Sequence, residues 1–255
     1  GEANWPQRSA GCGCLDTCGF EKDAFYFYKS VWNQKEKFAY LCPHWNLKLE
    51  KGTVLPVICY TNCEDAELFV NGRSFGMKSK GFPCYGMTER YGHFDRYRRP
   101  ANTDDLFLSW DVPYEPGKIE VVGYHDGKEV CRYKVETTGE AAAIKLTVDK
   151  TSVDADGRSV VQAEVRIVDN EGRLVFDACP ELDFTLEGDA EIIGIDNGDP
   201  ACHEQWKETK GRHAFNGMAY AVIRAGQNKG ELTLRVQASG ADAAIGKASV
   251  TISQK

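Results

Sequence analysis

The chain has 255 residues, of which 42% are hydrophobic and 27% are charged, and its formal net charge at pH 7 is −7. This length suits two domains of about 100–150 residues each, and the mixed composition excludes collagen, a coiled coil and extended disorder. The acidic balance argues against a nucleic-acid-binding surface, which is usually basic, and no stretch approaches the roughly 20 apolar residues of a membrane-spanning helix.

The chain begins with an irregular segment that is followed by one short helix. Residues 1–20 contain four glycines and a proline without a periodic apolar pattern, which predicts a loop. Residues 21–32 place Phe25, Tyr28 and Trp32 on one helical stripe behind an acidic first turn, and this spacing predicts a helix. Because the stripe is aromatic, we expect the helix to pack on something else.

After the helix the hydrophobic period changes to two, which is typical of β-strands. Seven short strands follow, interrupted by a polar stretch over residues 78–105. The dipeptides Asn71-Gly72 and Asp126-Gly127 are typical of two-residue hairpin turns. The pattern predicts an immunoglobulin-like β-sandwich over residues 37–139.

Residues 140–255 alternate in the same way and predict a second immunoglobulin-like sandwich. Turn signals at Asp156-Gly157 and Glu171-Gly172 separate its first strands, and the last predicted strand runs to the end of the sequence. The predicted fold class is therefore all-β, with two consecutive immunoglobulin-like β-sandwiches preceded by a loop and a short helix.

Neither the cysteines nor the histidines are spaced as metal ligands. Cys12, Cys14 and Cys18 form a C-x-C-x3-C cluster, but a structural zinc site needs a second pair of ligands at similar spacing. The ten cysteines are too few for a disulfide scaffold, and we expect them to act as small hydrophobic residues with at most one disulfide. No Walker loop or dinucleotide-binding glycine motif occurs, so no cofactor and no metal is predicted.

Several segments, in chain order, resemble glycoside hydrolase family 2 enzymes of the β-galactosidase-like branch. The opening GE…WP and the motif G-x-L-D-x-C-G-F-x-K-D-x-F-Y-x-Y-K-S-x-W resemble the end of the catalytic barrel in that family. The segments CPHWN (42–46), YTNCEDAELFVNGRSFG (60–76) and LSWDVPYEPGKIEVVGYHDGKEV (108–130) resemble the sandwich after the barrel. IIGIDNGDP (192–200) and AFNGMAYAVIRAG (214–226) resemble the C-terminal sandwich.

The resemblance implies that residues 1–36 are the C-terminal remnant of a (β/α)8 barrel, followed by sandwiches at 37–139 and 140–255. The last sandwich also resembles the invasin-like immunoglobulin domains of adhesins. Family members use two glutamates on barrel strands upstream of this chain, about 5–5.5 Å apart in retaining enzymes. The chain's Asn-Glu pair, Asn170-Glu171, falls in a predicted turn, and Glu2 and Asp16 fall in a loop. No catalytic residue is therefore predicted here.

The resemblance predicts the function of non-catalytic C-terminal accessory domains in a retaining β-galactosidase-like parent that hydrolyses glycosidic bonds. It implies a bacterial enzyme in the periplasm or outside the cell. The expected partner is the catalytic barrel of the same parent chain, with carbohydrate and a second copy left open, and with no nucleic-acid or membrane partner. The alternatives are an autonomous carbohydrate-binding module and structural, adhesin-like immunoglobulin domains.

Five residues are candidates for contact with carbohydrate. Glu2 and Trp5 would lie near the top of the barrel, where an aromatic ring can stack on the apolar face of a sugar; alternatively, Trp5 only packs the loop. Asn197, His203 and Trp206 could line a groove beside the acidic turn 196–200. That turn lacks the spaced ligands and distal glutamate of an EF-hand, so an ordinary turn is favoured over a calcium site.

Two further expectations concern packing. The stretch 82–99 interleaves aromatic residues with arginines, which suits a carbohydrate, but packing against the barrel or a second subunit is favoured. Without a barrel, residues 1–34 should be poorly covered and should expose an apolar patch around Phe25, Tyr28 and Trp32.

Overall fold

The computed structural model describes residues 4–7, 11–79, 106–205, 207 and 211–255. The chain divides into two compact units. We call the unit Glu21–Thr137 the first sandwich, and the unit formed by Gly1–Phe20 with Thr138–Lys255 the second sandwich. Each unit is built from two β-sheets, so the predicted all-β class is confirmed. That residues 1–36 derive from a barrel stays a prediction. No helix within the described ranges is long and apolar enough to cross a bilayer.

The first sandwich opens with a helix, α1, where the aromatic stripe predicts one. Its acidic first residue, Asp23, lies where the helix dipole favours a negative charge. In the described part of this unit, seven strands follow in two antiparallel sheets, with the orders β1-β2-β5 and β4-β3-β6-β7. The elements are α1 Asp23–Trp32, β1 Ala39–Cys42, β2 Val54–Thr61, β3 Asp65–Val70, β4 Arg73–Ser79, β5 Leu108–Pro113, β6 Lys118–His125 and β7 Lys128–Glu136.

The two predicted hairpin turns of the first sandwich are confirmed. Asn71 and Gly72 join β3 to β4 with φ angles of 49° and 83°, and Asp126 and Gly127 join β6 to β7 with 49° and 70°. Left-handed φ at both turn residues is what a type I′ hairpin requires, and Asn, Asp and Gly tolerate it best.

The core of the first sandwich consists of inward-facing residues from both sheets. β3 shows the expected alternation, with Ala66, Leu68 and Val70 buried and the residues between them partly exposed. Trp45 is 0% exposed, and its indole N–H donates to the Glu115 carbonyl oxygen at 2.9 Å. The indole N–H is the one polar group of a tryptophan side chain, and this hydrogen bond satisfies it although the side chain is buried.

Among its described residues, the second sandwich contains nine strands and one 3-10 helix that the sequence pattern does not predict. Its sheets have the orders β12-β14-β10-β8 and β13-β11-β15-β16-β9, and only the pair β9–β16 is parallel. The elements are β8 Ala143–Val148, β9 Ser152–Val153, β10 Val160–Val168, β11 Glu181–Glu187, β12 Ala190–Asp196, β13 Gly211–His213, β14 Met218–Ala225, β15 Gly230–Ala238, the 3-10 helix Gly240–Ile245 and β16 Lys247–Gln254.

A buried carboxylate, Asp169, holds the turn after β10 in the second sandwich. Its Oδ1 accepts hydrogen bonds from the backbone N–H groups of Glu171 (3.0 Å) and Arg173 (2.9 Å). Its Oδ2 accepts from the Gly139 N–H at 3.0 Å and from the Arg173 guanidinium at 2.8 Å. The bond to Gly139 ties the start of the unit to this turn.

Burial of Asp169 by itself acts to raise the pKa of its carboxyl group. The Arg173 guanidinium and the surrounding N–H donors outweigh burial and hold that pKa well below its usual range. The folded state therefore binds this proton more weakly than the unfolded chain does.

We expect Asp169→Asn to lower the free energy of unfolding of the second sandwich by about 1–3 kcal/mol at pH 7, because the charge-assisted bonds to Arg173 are lost. The carboxylate stabilises the fold fully above its unfolded pKa of roughly 3.9, and this contribution disappears as the pH falls towards its lower folded pKa. The difference between wild type and variant should therefore shrink between about pH 4 and 2. Urea unfolding at several pH values, followed by circular dichroism, measures this difference in free energy of unfolding.

The matched control is Asp183→Asn, because Asp183 is an exposed aspartate on β11. It should leave both stability and pH dependence within about 0.5 kcal/mol of wild type. An Asp169 variant that is as stable as this control at pH 7 would contradict the role assigned to the carboxylate.

Candidate functional site

In the second sandwich, the N-terminal segment lies against the turn that follows β12. The Asp16 Oδ1 accepts hydrogen bonds from the N–H groups of Cys18 (2.8 Å) and Phe20 (2.9 Å). The Asp16 Oδ2 is so close to Gly198 that a Cβ added there would lie 2.0 Å from it. Gly198 also has a φ of +78°. Glycine at this position therefore permits both the turn and the approach of the segment.

Further contacts hold the same segment. The Thr17 hydroxyl donates to Asp196 Oδ2 at 3.5 Å, and the Phe20 ring packs edge-on against Tyr220 of β14 with centroids 6.0 Å apart. Burial, together with the carboxylates of Asp196 and Asp16, raises the pKa of Cys18 to about 12. The Cys18 side chain is therefore a neutral thiol at physiological pH, and a neutral thiol is a poor nucleophile.

Asn197, one of the predicted sugar-binding residues, is buried at the turn. Its side-chain N–H donates to the His213 carbonyl oxygen at 2.9 Å, and its Oδ1 accepts from the Asp199 N–H at 3.1 Å. These bonds follow from a general property of Asn and Asp side chains, which bond nearby backbone and stabilise turns. In this position Asn197 fixes the direction of the chain that leads to His203.

The structure brings two of the predicted residues, Trp5 and His203, into contact. Their ring centroids are 4.4 Å apart with an interplanar angle of 30°, and the His203 Nε2 lies 2.7 Å from the Pro6 carbonyl oxygen. Trp5 nevertheless remains 82% exposed. Because a carbonyl oxygen can only accept, the His203 Nε2 donates to Pro6, which leaves Nδ1 of the neutral ring as an acceptor beside the open indole surface of Trp5.

A buried arginine, which the sequence pattern gives no reason to single out, holds the loop that carries His203. Arg212 is 0% exposed, and its guanidinium donates to the carbonyl oxygens of Ile195 (2.7 Å) and Glu204 (2.9 Å). The Glu204 carboxylate in turn lies 2.7 Å from His213 Nδ1. Burial acts to raise the pKa of Glu204, but its hydrogen bonds to His213 and Cys202 outweigh burial and lower that pKa.

Glu2 and Trp206, and the stretch 82–99, lie outside the described residues. Within the described ranges, the one cluster of three side chains with ligand geometry joins Glu64 of the β2–β3 connection to His125 and Asp126 at the β6–β7 turn. Among the described residues, Cys12, Cys14 and Cys18 of the C-x-C-x3-C cluster belong to no group of three possible metal ligands.

The first sandwich has a separate candidate surface on α1. One side of the helix packs on strands: the Tyr26 ring stacks on Tyr40 at 3.7 Å, and the Tyr40 hydroxyl donates to Asp23 at 2.7 Å. The opposite side exposes Tyr28 and Trp32, whose rings stack at 4.9 Å, and Trp32 is 74% exposed. The predicted exposed apolar patch is confirmed at these two residues, whereas Phe25, which was predicted with them, is partly buried.

Comparison with protein families gives two matches that together cover most of the two sandwiches. A family described as glycoside hydrolase family 2 C-terminal domain 5 matches residues 144–245, and a domain family of unknown function matches residues 52–131.

Among curated proteins, a β-galactosidase of Bacteroides ovatus is 35% identical over 96% of this chain. A putative β-glucuronidase of Formosa agariphila is 29% identical over 84% of it. The chain spans only 26% and 19% of the lengths of these two relatives.

Solved structures resemble the chain over nearly its whole length. A β-glycosidase from Bacteroides vulgatus superposes with a TM-score of 0.82 at 31% identity, covering 99% of this chain and 29% of its own. A glycosyl hydrolase family 2 member from Bacteroides cellulosilyticus gives 0.83 at 26% identity, covering 98% and 32%.

The contact between Gly198 and Asp16 can be tested by substituting the two residues singly and together. We expect Gly198→Ala to lower the free energy of unfolding of the second sandwich by about 2–4 kcal/mol, because it combines left-handed strain with a clash against the carboxylate. Adding Asp16→Ala should recover about 1 kcal/mol or more of that loss, since the clashing oxygen is gone. Urea unfolding of the four proteins in the cycle, followed by circular dichroism, measures this coupling.

Gly172→Ala is the matched control, because Gly172 has the same φ of +78° and no neighbouring atom within 4 Å of an added Cβ. It should destabilise by about 1–2 kcal/mol, the cost of left-handed backbone alone. Strictly additive effects of the Gly198 and Asp16 substitutions would show that the segment does not dock as described.

Proposed function

Because this chain belongs to the C-terminal region of a glycoside hydrolase family 2 enzyme and is by itself a non-catalytic part of it, we propose that it braces the catalytic barrel of a β-galactosidase-like parent. One observation carries this proposal: the relatives match nearly the whole chain, whereas the chain spans about a quarter to a third of them. The parent would be a retaining enzyme of a bacterial periplasm or cell exterior.

Within that parent, residues 1–36 would be the end of the barrel, and residues 37–139 and 140–255 the sandwiches that follow. The exposed face of α1 supports this division. Tyr28, Val31 and Trp32 are all at least 41% exposed on one short helix, and aromatic surface of this kind is normally buried against another element. A barrel in the same chain would cover it.

The finer part of the proposal is that the second sandwich contributes to sugar binding. The exposed indole of Trp5 can stack on the apolar face of a pyranose ring, and His203, in contact with Trp5, can hydrogen-bond a hydroxyl group. Asn197 and the buried Arg212 would act by positioning the loop around His203. Glu2 and Trp206, which are close in sequence to this pair, complete the proposed set.

A second candidate function is that of an autonomous carbohydrate-binding module. The exposure of Trp5 favours it, because free-standing sugar-binding surfaces also use open aromatic rings. The two functions differ in whether the chain binds sugar without the barrel.

We expect this chain alone to show no turnover of chromogenic β-galactoside or β-glucuronide, whereas the protein extended upstream through the barrel hydrolyses one of them. The physical reason is that only a folded barrel can hold an acid and a nucleophile about 5–5.5 Å apart. Initial rates for both proteins and both substrates provide the measurement. Turnover by the short chain would overturn the accessory role, and the sugar accepted by the longer protein identifies the parent's specificity.

We expect Trp5→Ala in the longer protein to raise KM about 2- to 10-fold, because a stacking contact of about 0.5–1.5 kcal/mol is lost. Trp5→Phe keeps an aromatic face and should stay within about twofold of wild type. Calorimetric titration of the short chain with galactose distinguishes the two candidate functions. Binding of galactose by the short chain is required for an autonomous carbohydrate-binding module. Equal KM values for the Ala and Phe variants would remove Trp5 from the proposed site.

A further inference from the structure

Two cysteine sulfurs meet inside the first sandwich. Cys63 lies in the three-residue connection between β2 and β3, and Cys131 lies on β7. Their Sγ atoms are 3.4 Å apart, although the residues are 68 positions apart in the sequence. Bonded disulfide sulfurs are ~2.05 Å apart, so roughly 1.4 Å of movement separates this contact from a covalent bond.

The space for this contact is created by a glycine on the strand between them. Gly123 on β6 is paired with Ala66 of β3 on one side and with Cys131 of β7 on the other. A Cβ on Gly123 would lie 2.6 Å from both sulfur atoms. The φ of Gly123 is not in the left-handed region, so the backbone does not demand glycine. The missing side chain at 123 is instead what leaves room for two sulfurs.

We propose that Cys63 and Cys131 form an intramolecular disulfide that links the β2–β3 connection to β7 across Gly123. The Cys131 thiolate would attack a small disulfide such as oxidised glutathione, giving a mixed disulfide and releasing one glutathione thiol. The Cys63 thiolate would then attack the Cys131 sulfur and release the second glutathione thiol. Two cysteine sulfurs are oxidised, one glutathione disulfide is reduced, and the two protons end on the glutathione thiols.

Accessibility decides the order of these steps. Cys131 is partly exposed, whereas Cys63 is only 2% exposed, so the incoming disulfide reaches Cys131 first. In the folded protein, the hydrogen bond to Cys63 and then burial raise the pKa of Cys131 far above its usual range. A protonated thiol is a poor nucleophile, so this exchange is slow in the folded protein and faster while the site is still open during refolding.

A neighbouring cysteine provides the matched control. Cys59 is fully buried on β2 and close enough to Cys131 to contribute to its raised pKa. No metal-ligand group in the described part of the chain contains any of these three residues, so an oxidised pair fits the geometry better than a thiolate metal site.

The experiment is to refold the chain in a glutathione redox buffer, block remaining thiols with N-ethylmaleimide in denaturant, and map the peptides by mass spectrometry. We expect a Cys63–Cys131 cross-linked peptide in wild type and in Cys59→Ala. The cross-link should be absent in Cys63→Ala. In Gly123→Ala both thiols should be alkylated although both are present, because the added methyl group occupies the space of the sulfurs.

Calorimetry of wild type gives a second readout. The oxidised protein should melt roughly 10 °C above the reduced one, since the bond closes a long loop in the unfolded chain. Reduction should leave the melting temperature of Cys63→Ala unchanged. Full alkylation of Cys63 and Cys131 in refolded wild type, or a bond from Cys63 to Cys59, would overturn the proposal.

Discussion

Within the described part of the N-terminal segment, the contact between the Asp16 carboxylate and the backbone of Gly198 holds residues 16–20 against the second sandwich. A side chain at 198 would occupy the position of the carboxylate oxygen. The same carboxylate closes its own turn through the N–H groups of Cys18 and Phe20. In this arrangement Trp5 lies beside His203. Their two rings form the aromatic surface at the centre of the proposed sugar site. The Asp16–Gly198 contact holds one side of this site, and Asn197 and Arg212 hold the loop of His203 on the other side.

The two sandwiches differ in the kind of polar side chain that they bury. In the first, Trp45 is wholly buried, and its indole N–H finds a carbonyl oxygen. In the second, charged groups enter the interior: Asp169 and Arg212 are both buried, and each forms hydrogen bonds with backbone groups. Each charge organises a loop, and neither adds much apolar area. Both groups fix the path of the chain around them, and the Asp169 carboxylate also stabilises the fold at neutral pH.

The sequence predicts those parts of the fold that depend on neighbouring residues. Helix α1, the alternating strands and the hairpins at Asn71 and Asp126 all follow from local spacing and turn chemistry. The 3-10 helix Gly240–Ile245 is missed because the short stretch GADAAI has the composition of a loop. The docking of the N-terminal segment joins residues about 180 positions apart, and no local pattern encodes it. Arg212 is missed for a related reason, since an arginine within a strand normally points to solvent.

The distribution of aromatic residues also determines what can be observed spectroscopically. Trp45 and Trp110 are buried in the first sandwich, whereas the cluster at the centre of the second consists of aliphatic side chains and Phe184. The indole of Trp5 already faces water in the folded chain. Emission from Trp45 and Trp110 will therefore shift to longer wavelength when the first sandwich opens. Among the described residues, the core cluster of the second sandwich contains no indole, so its opening gives no comparable tryptophan signal. Backbone-sensitive probes are needed to see both events.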